Sequence, residues 1–439
     1  MAVALAAWAP ALGGGFRFDD YGNVVHDPAT RDGAALLERL PRGVRPLTRV
    51  SFFLDHAAGG LAPRAFLATN LALHAAASWL LFALARRRLA SPAAGTLAGA
   101  LFAVQPAHEA AVAYVSGRSA LLSTALALGG LLVWERAPRR GPGAAWTATA
   151  LFALAALARE TALVFPLLVL LWEATRADGG ESLRRRCTPL ALPMGVTVVS
   201  AALLFALSAR YRALAATSLA LHDPLGALAE NLRALPVALS LWARPAALAI
   251  EQPPPPPGAP WLAAGAALAL GLAVLASAAR KRAPNLALAA GWVVVALLPT
   301  HTLLARAEAV TERPLYLAWA GPALLAGAAA RALARATRPA LPALAAAALV
   351  LVAASAAHQR ARLWTDEAAL WREAVGRVPD SPRAWSNLGA AYLSRRDYSR
   401  ARAAFRAALA LDPGFASARA GVAGLALVAP DPARGGEPP

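Results

Sequence analysis

The chain has 439 residues, of which 58% are hydrophobic and 15% charged, with a formal net charge of +18 and one cysteine, Cys187. A positive mean hydropathy over this length belongs to a chain that is mostly lipid-embedded helix, not to a soluble enzyme. The lone cysteine excludes a disulfide framework and a cysteine-rich zinc site. The arginines come in short clusters one or two helix lengths apart without interleaved aromatics, which excludes a nucleic-acid face and reads as a topology signal.

Runs of roughly 20 apolar residues suffice to cross a hydrocarbon core. In chain order such runs predict an all-α, polytopic membrane helix bundle of about 11 spans, near 1–15, 64–85, 93–108, 118–134, 144–158, 161–175, 189–208, 260–279, 285–303, 314–330 and 339–357. The first run has no basic residues ahead of it, and its 15 residues rise only about 22 Å as a helix, so it reads as short or partly re-entrant. Arg86 to Arg88, then Arg136, Arg139 and Arg140, then Arg184 to Arg186, then Arg280, Lys281 and Arg282, and finally Arg331, Arg335 and Arg338 fall on alternate connections. Those connections are cytoplasmic by the positive-inside rule. The other side then receives the outer loops 16–63 and 209–259, the turn at Arg159 and Glu160, the loop 304–313 and the C-terminus. Within 209–259 the apolar stretch 231–249 is broken by Pro236 and Pro245 and reads as an interfacial or re-entrant segment, followed by a polyproline spacer at 253–257.

The character changes after the last span. The expected division is a membrane domain at 1–358, a short helical module at 359–428 and a disordered tail at 429–439. From Pro382 the signature positions of a tetratricopeptide repeat are filled by Trp385, Leu388, Gly389, Tyr392, Ala401, Phe405, Ala408 and Pro413, with the best repeat at 382–415. Trp371, Ala374 and Pro379 fit the second half of a preceding repeat, and 416–428 reads as a degraded capping helix. Gly389 and Ala401 are small so that two antiparallel helices approach, and the aromatics fill the space between them.

The spans are nearly free of charge, and the ionisable residues gather at their outer ends, as in GFRFDDYGN, which holds Asp19 and Asp20. A transporter would bury charges at mid-membrane in broken helices, so this placement favours chemistry at the membrane surface on a lipid-linked substrate. A polar turn leaving a helix is the competing account of the aspartate pair. His74 lies in an apolar helix and reads as a packing histidine. His108 and Glu109, being adjacent, make a poor ligand pair, and no metal or other cofactor is expected.

FDD at Phe18 to Asp20, RPLTRVSF at Arg45 to Phe52, NLALH at Asn70 to His74, LFAVQPAHEAAVAYVSGR at Leu101 to Arg118, RETALVFP at Arg159 to Pro166 and ERPLYL at Glu312 to Leu317 stand in one order ahead of the C-terminal repeat. Together they resemble the transmembrane and tetratricopeptide-repeat O-mannosyltransferase family, a group of GT-C glycosyltransferases. The resemblance implies a GT-C-like fold and transfer of a hexose, mannose first, from a polyprenyl-phosphate donor to a hydroxyl acceptor on a protein or glycan. It places the active site and the repeat on the extracytoplasmic side of a membrane, expected to be a bacterial inner membrane. It implies Asp19 or Asp20 as the base, with the other orienting the acceptor. Arg45, Arg118, Arg159 and Arg313 would face the donor phosphate, and His108, Glu109, Glu160 and Glu312 would support the site or the acceptor. The chain departs from the family pattern at Gln105, Ala110, Ala120 and Pro314. A non-catalytic membrane scaffold that presents its repeat helices to partners is the competing class.

Overall fold

The computed structural model describes residues 2–136, 142–176, 182–221, 223–301, 308–338 and 340–429. Arg139, Arg140, the first part of the 304–313 loop and the tail from 430 lie outside the described residues. The described elements are all helical, and the chain forms two compact units, Met1–Pro245 with Pro255–Ala361 and Ala246–Pro254 with Arg362–Pro439.

The first unit opens with α1 (Ala2–Trp8), continued by a 3-10 turn to Gly13, then α2 (Gly33–Arg39) and α3 (Pro46–Gly59) in the loop region. It continues through α4 (Pro63–Arg88), α5 (Pro92–Ala103), the one-turn α6 (Glu109–Val112), α7 (Arg118–Arg136), α8 (Pro142–Ala158), α9 (Phe165–Ala174), α10 (Leu183–Leu207) and α11 (Ala209–Leu221). The unit is completed by α12 (Pro224–Ser240), α13 (Ala259–Ala278), α14 (Pro284–Leu297), α15 (Leu315–Ala318), α16 (Ala320–Ala336) and most of α17 (Ala340–Leu363).

Among the described residues, five helices are long and apolar enough to cross a membrane: Pro63–Arg88, Val115–Arg136, Ala259–Ala278, Leu315–Ala336 and Ala340–Leu363. A sixth is added if Leu183–Leu192 and Met194–Leu203, bent by 48°, form one span. Other apolar runs appear as shorter helices, Ala2–Gly13, Pro92–Ala103, Gly143–Ala158 and Pro284–Leu297. Turns and prolines cut them short: the run expected at 161–175, for instance, is a 3-10 turn to Val164 with a ten-residue helix after it. α13 and α17 expose leucine and valine along their outer faces, as at Leu270, Leu344, Leu351 and Val352, a surface suited to lipid tails and not to water.

Glycine sets the closest helix approaches. A Cβ on Gly99 of α5 would stand 2.8 Å from the Phe82 side chain of α4, and one on Gly327 of α16 would stand 2.4 Å from the Ala94 carbonyl of α5. Contact this close lets backbones pack where apolar burial between helices contributes little. Polar groups add to it on α4, where His74 bonds the Tyr316 hydroxyl at 2.8 Å and the Ala103 carbonyl at 2.9 Å, a packing role.

α5 stops at Ala103 because Pro106 lacks the amide that would continue it, and residues 104–117 form an irregular stretch of short turns before α7. The carbonyls this leaves open at the end of α5 are met by side chains: Trp319 Nε1 donates to Leu101 O at 3.3 Å, and Trp8 Nε1 to Ala103 O at 2.8 Å. An irregular stretch is tolerated among apolar helices only when its backbone is satisfied in this way.

In the second unit α18 (Glu367–Arg377), α19 (Pro382–Ser394), α20 (Tyr398–Leu411) and α21 (Ala416–Val428) stack as helix pairs. Phe405 is the wedge: a Cβ on Gly389 would lie 2.7 Å from its ring and one on Gly421 2.4 Å away, so both neighbouring helices need glycine to admit it. The unit also takes in residues 246–254, which the sequence places in an outer loop. Glu251 accepts from Ser381 Oγ at 2.6 Å and from Arg383 Nε at 3.0 Å, and Arg377 donates to the Ala246 carbonyl. Ser381 in turn caps α19 by accepting from Ala384 N at 3.1 Å, which draws the Glu251 carboxylate toward a helix N-terminus.

Phe405→Ala should cost about 3–5 kcal/mol, the usual range for emptying a buried aromatic site, and limited proteolysis should then release the chain after Leu363. Glu251→Ala should leave the helices folded and speed cleavage within 246–257; equal cleavage rates in this variant and the wild type would show that the ion pair does not hold the segment.

Candidate functional site

The loop after α1 is built around its two aspartates, which the fold treats differently. Phe18 adopts a left-handed backbone, φ 47°, uncommon for a bulky residue. Its ring packs edge-on against Tyr114 at 5.8 Å. That bend directs Asp20 inward, where its Oδ2 accepts from Arg17 N at 3.0 Å and its Oδ1 from Ser116 N at 2.8 Å and Ser116 Oγ at 2.6 Å. Asp20 is 0% exposed, and burial pushes its carboxyl up to about 7, against the donors from Ser116 and Arg17 that favour the charged form. Asp19 is exposed, and its backbone N–H donates to the Tyr114 hydroxyl at 3.0 Å. Burial raises the Tyr114 phenol well above its ordinary value, so it stays protonated.

Arginines approach this pair from two directions. The Arg313 guanidinium lies over the Tyr114 ring, 5.4 Å from its centroid. Arg45, held in a left-handed conformation at the start of α3, grips Glu160 with two nitrogens, Nε at 2.9 Å from Oε2 and Nη2 on Oε1. Burial alone would raise the Glu160 carboxyl, but Arg45 and then Arg159 overcome it and hold it at about 2. Burial likewise opposes the charge on Arg45, but Glu160, with smaller contributions from Tyr211 and Asp19, raises it. Arg159 reaches Ser119 Oγ at 3.2 Å. A cavity of about 70 Å³ lies beside Arg45, lined also by Asn23, Thr48, Arg49, Ser116 and Ser119. Asp20 is thus one residue removed from the cavity wall, through Ser116.

The structure brings Asp19, Asp20, Arg45, Arg159, Glu160 and Arg313 around the junction of the first loop with the 104–117 stretch. Arg118 does not join them: it is fully buried, with Nε on Asn70 Oδ1 at 2.7 Å, Nη2 on Phe66 O at 2.5 Å and Nη1 on Asp55 Oδ2 at 2.5 Å. Its donors are spent fastening α7 to α3 and α4. Glu109, also fully buried, takes two nitrogens of Arg360 from α17, Nη2 on Oε1 at 2.8 Å and Nε on the other oxygen. His108 is buried among His74, Phe102 and Tyr316, 4.4 Å from the last of these rings, and Glu312 is buried where its carbonyl accepts from Leu315 N at 2.9 Å. Neither lines the cavity.

Tyr114, Ser116 and Arg360 carry contacts that the sequence did not single out. The first two lie inside the VAYVSGR block, where a turn between Pro106 and Gly117 was the available signal. Arg360 follows an apolar run, where an arginine ordinarily marks a helix end.

Residues 382–415 match the tetratricopeptide repeat family. The chain is 39% identical over 144 residues to the protein O-mannosyl-transferase Tmtc1 of Drosophila melanogaster, covering 33% of this chain and 17% of that one. It is 32% identical over 215 residues to Drosophila Tmtc2, covering 44% and 23%, and 30% identical over 146 residues to human TMTC3, covering 32% and 16%. The chain is thus TMTC-like, related to the transmembrane and tetratricopeptide-repeat family. The matched stretches span about a fifth of the length of these relatives. No solved structure matches the chain.

Because Asp20 holds its proton more tightly folded than unfolded, its contribution to stability is complete below the ordinary value of 3.8 and is lost as the pH rises through about 7. Thermal unfolding in detergent should therefore show stability falling across that interval, with a flatter profile in Asp20→Asn; an identical slope in both proteins would refute the assignment. Arg360→Met should destabilise by about 3–5 kcal/mol by stranding the buried Glu109 carboxylate, and Glu109→Leu added to it should restore much of the loss.

Proposed function

We propose that the chain is an integral membrane glycosyltransferase that moves a hexose, mannose in the first instance, from a polyprenyl-phosphate donor to a serine or threonine hydroxyl of a protein, on the extracytoplasmic face. The observation that carries this is the pairing of one exposed carboxylate, Asp19, with one buried carboxylate, Asp20, that fastens the loop to Ser116 beside an arginine-lined cavity. The related proteins, named protein O-mannosyl-transferases, support the same reading, and the arginine clusters on alternate connections support the sidedness.

In this mechanism Asp19 accepts the proton of the acceptor hydroxyl as its oxygen forms the new bond to the anomeric carbon, and the bond from that carbon to the phosphate oxygen breaks with inversion. The polyprenyl phosphate departs with the electron pair. Phosphate is already a good leaving group, so the reaction as written needs no general acid and no cofactor. Arg313 and Arg45 supply positive charge where the departing phosphate gains negative charge. Asp20 acts through position: its three accepted hydrogen bonds set the backbone from which Asp19 projects. Tyr114 adds a protonated hydroxyl next to Asp19.

The test is transfer from labelled polyprenyl-phosphate mannose, with the glucose donor in parallel, to serine- and threonine-containing peptides by purified protein. Asp19→Asn should lower turnover by roughly 100- to 10,000-fold, the usual share of general base catalysis, with donor binding retained. Arg313→Ala should weaken donor binding as well as turnover. Full activity in Asp19→Asn would return the loop to the status of a polar turn and leave the scaffold reading in its place.

A further inference from the structure

A second cavity of the first unit, ringed by arginine, lies outside the proposed active site. It has a volume of about 250 Å³ and is walled by the turn at Asp27 to Ala29, by Glu38, Arg39 and Arg42 at the end of α2, and by Arg210 at the start of α11. Arg49 stands behind it, its Nη1 on the Asp27 carboxylate and its Nε donating to Val44 O at 3.3 Å. Both oxygens of Asp27 are engaged, Oδ1 by Ala29 N at 3.1 Å and Oδ2 by Arg49 with Arg39 at 3.7 Å. Glu38 is paired with Arg42 at 3.0 Å on the exposed surface.

Four guanidiniums therefore meet two carboxylates at this cavity. Arg210 forms no ion pair among the described residues, and the buried Nε of Arg39 has no hydrogen-bond acceptor. The crowding is felt inside the wall: burial lowers the Arg49 guanidinium, Asp27 opposes this, and the nearby charges of Arg39 and Arg210 lower it again. Like charges held together around one neutralised carboxylate, next to open space, are complementary to an anion. The same surface carries leucines turned outward, Leu37 on α2 at 71% exposure and Leu214 on α11 at 54%. Arginine beside outward leucine is the pattern of a protein surface at the level of lipid headgroups.

We infer that this cavity binds the phosphate of an anionic lipid headgroup, with Arg39, Arg42 and Arg210 as its donors. Arginine suits this ligand because its planar fork engages two phosphate oxygens together. The site is separate from the cavity beside Asp19: Asp27 and Arg49 stand between them, Asp27 lining one and Arg49 the other. It stands whether or not the chain transfers sugar.

Native mass spectrometry of the full chain, purified in detergent and titrated with phosphatidylglycerol or phosphatidylcholine, tests the inference, with inorganic phosphate as a third probe. Phosphatidylglycerol should bind in preference to phosphatidylcholine. Arg42→Gln combined with Arg210→Gln, both at exposed positions that folding tolerates, should weaken it roughly tenfold or more, as expected for two basic residues at a headgroup. Arg64→Gln, which removes an exposed charge elsewhere, should leave it unchanged. If inorganic phosphate alone displaces the lipid at equal concentration, the cavity reads phosphate from solution as readily as from the bilayer; if only the lipid is held, the headgroup is the source. Equal binding of the two lipids, or undiminished phosphatidylglycerol binding in the double variant, would overturn the proposal.

Discussion

Backbone that is not helical must find hydrogen bonds inside the protein when apolar helices surround it, and the stretch 104–117 is where this chain meets that requirement. Side chains from several helices supply its bonds. Asn70 donates to Tyr114 O at 2.8 Å, Trp8 and His74 meet Ala103 O, and Asp20 takes up Ser116 N. The loop after α1, the start of α7 and the α4 helix are joined because each supplies something that the break lacks.

That constraint explains how acidic and basic residues divide. Glu109 within the break and Arg118 at its end are fully buried, so each is stable as a charge only with a close partner, and each has one in Arg360 and Asp55 respectively. Such pairs hold helices in place and leave no valence for a substrate. Asp19 and Arg313 sit where the break opens to the loops, at least partly exposed, and Arg45 lies there too, paired with Glu160 at a partly exposed position. Asp20 stands between the two classes: it is buried like Glu109 but has neutral donors where Glu109 has a cation, and burial outweighs those donors and pushes its carboxyl upward.

The outer loops have a design of their own. Arg49 separates two cavities of different chemistry, a small one under Arg45 and Ser116 and a larger one ringed by arginine. In the second unit the chain uses a similar economy, since Ser381 both caps α19 and holds Glu251.

Much of this was legible in the residues alone. Composition determined the all-helical membrane class, because a chain so apolar satisfies its backbone by helix. The repeat was legible position by position, since Gly389 and Phe405 face each other in any such repeat and their spacing is local. The aspartate pair with Arg45, Arg159 and Arg313, read from the sequence as candidates for one site, lies near the first loop, and the roles given to these residues are those of the proposed function. What sequence could not decide was which charges are spent internally. Arg118 and Arg313 look alike in their motifs, but one is buried against Asp55 and Asn70 and the other lies over Tyr114. Partners such as Glu109 and Arg360 are 251 positions apart, and segment 246–254 joins helices that begin more than a hundred residues later. Local pattern determines helix, turn and repeat because their hydrogen bonds span a few residues. The pairing of buried charges depends on which helices touch, and only the tertiary structure settles that.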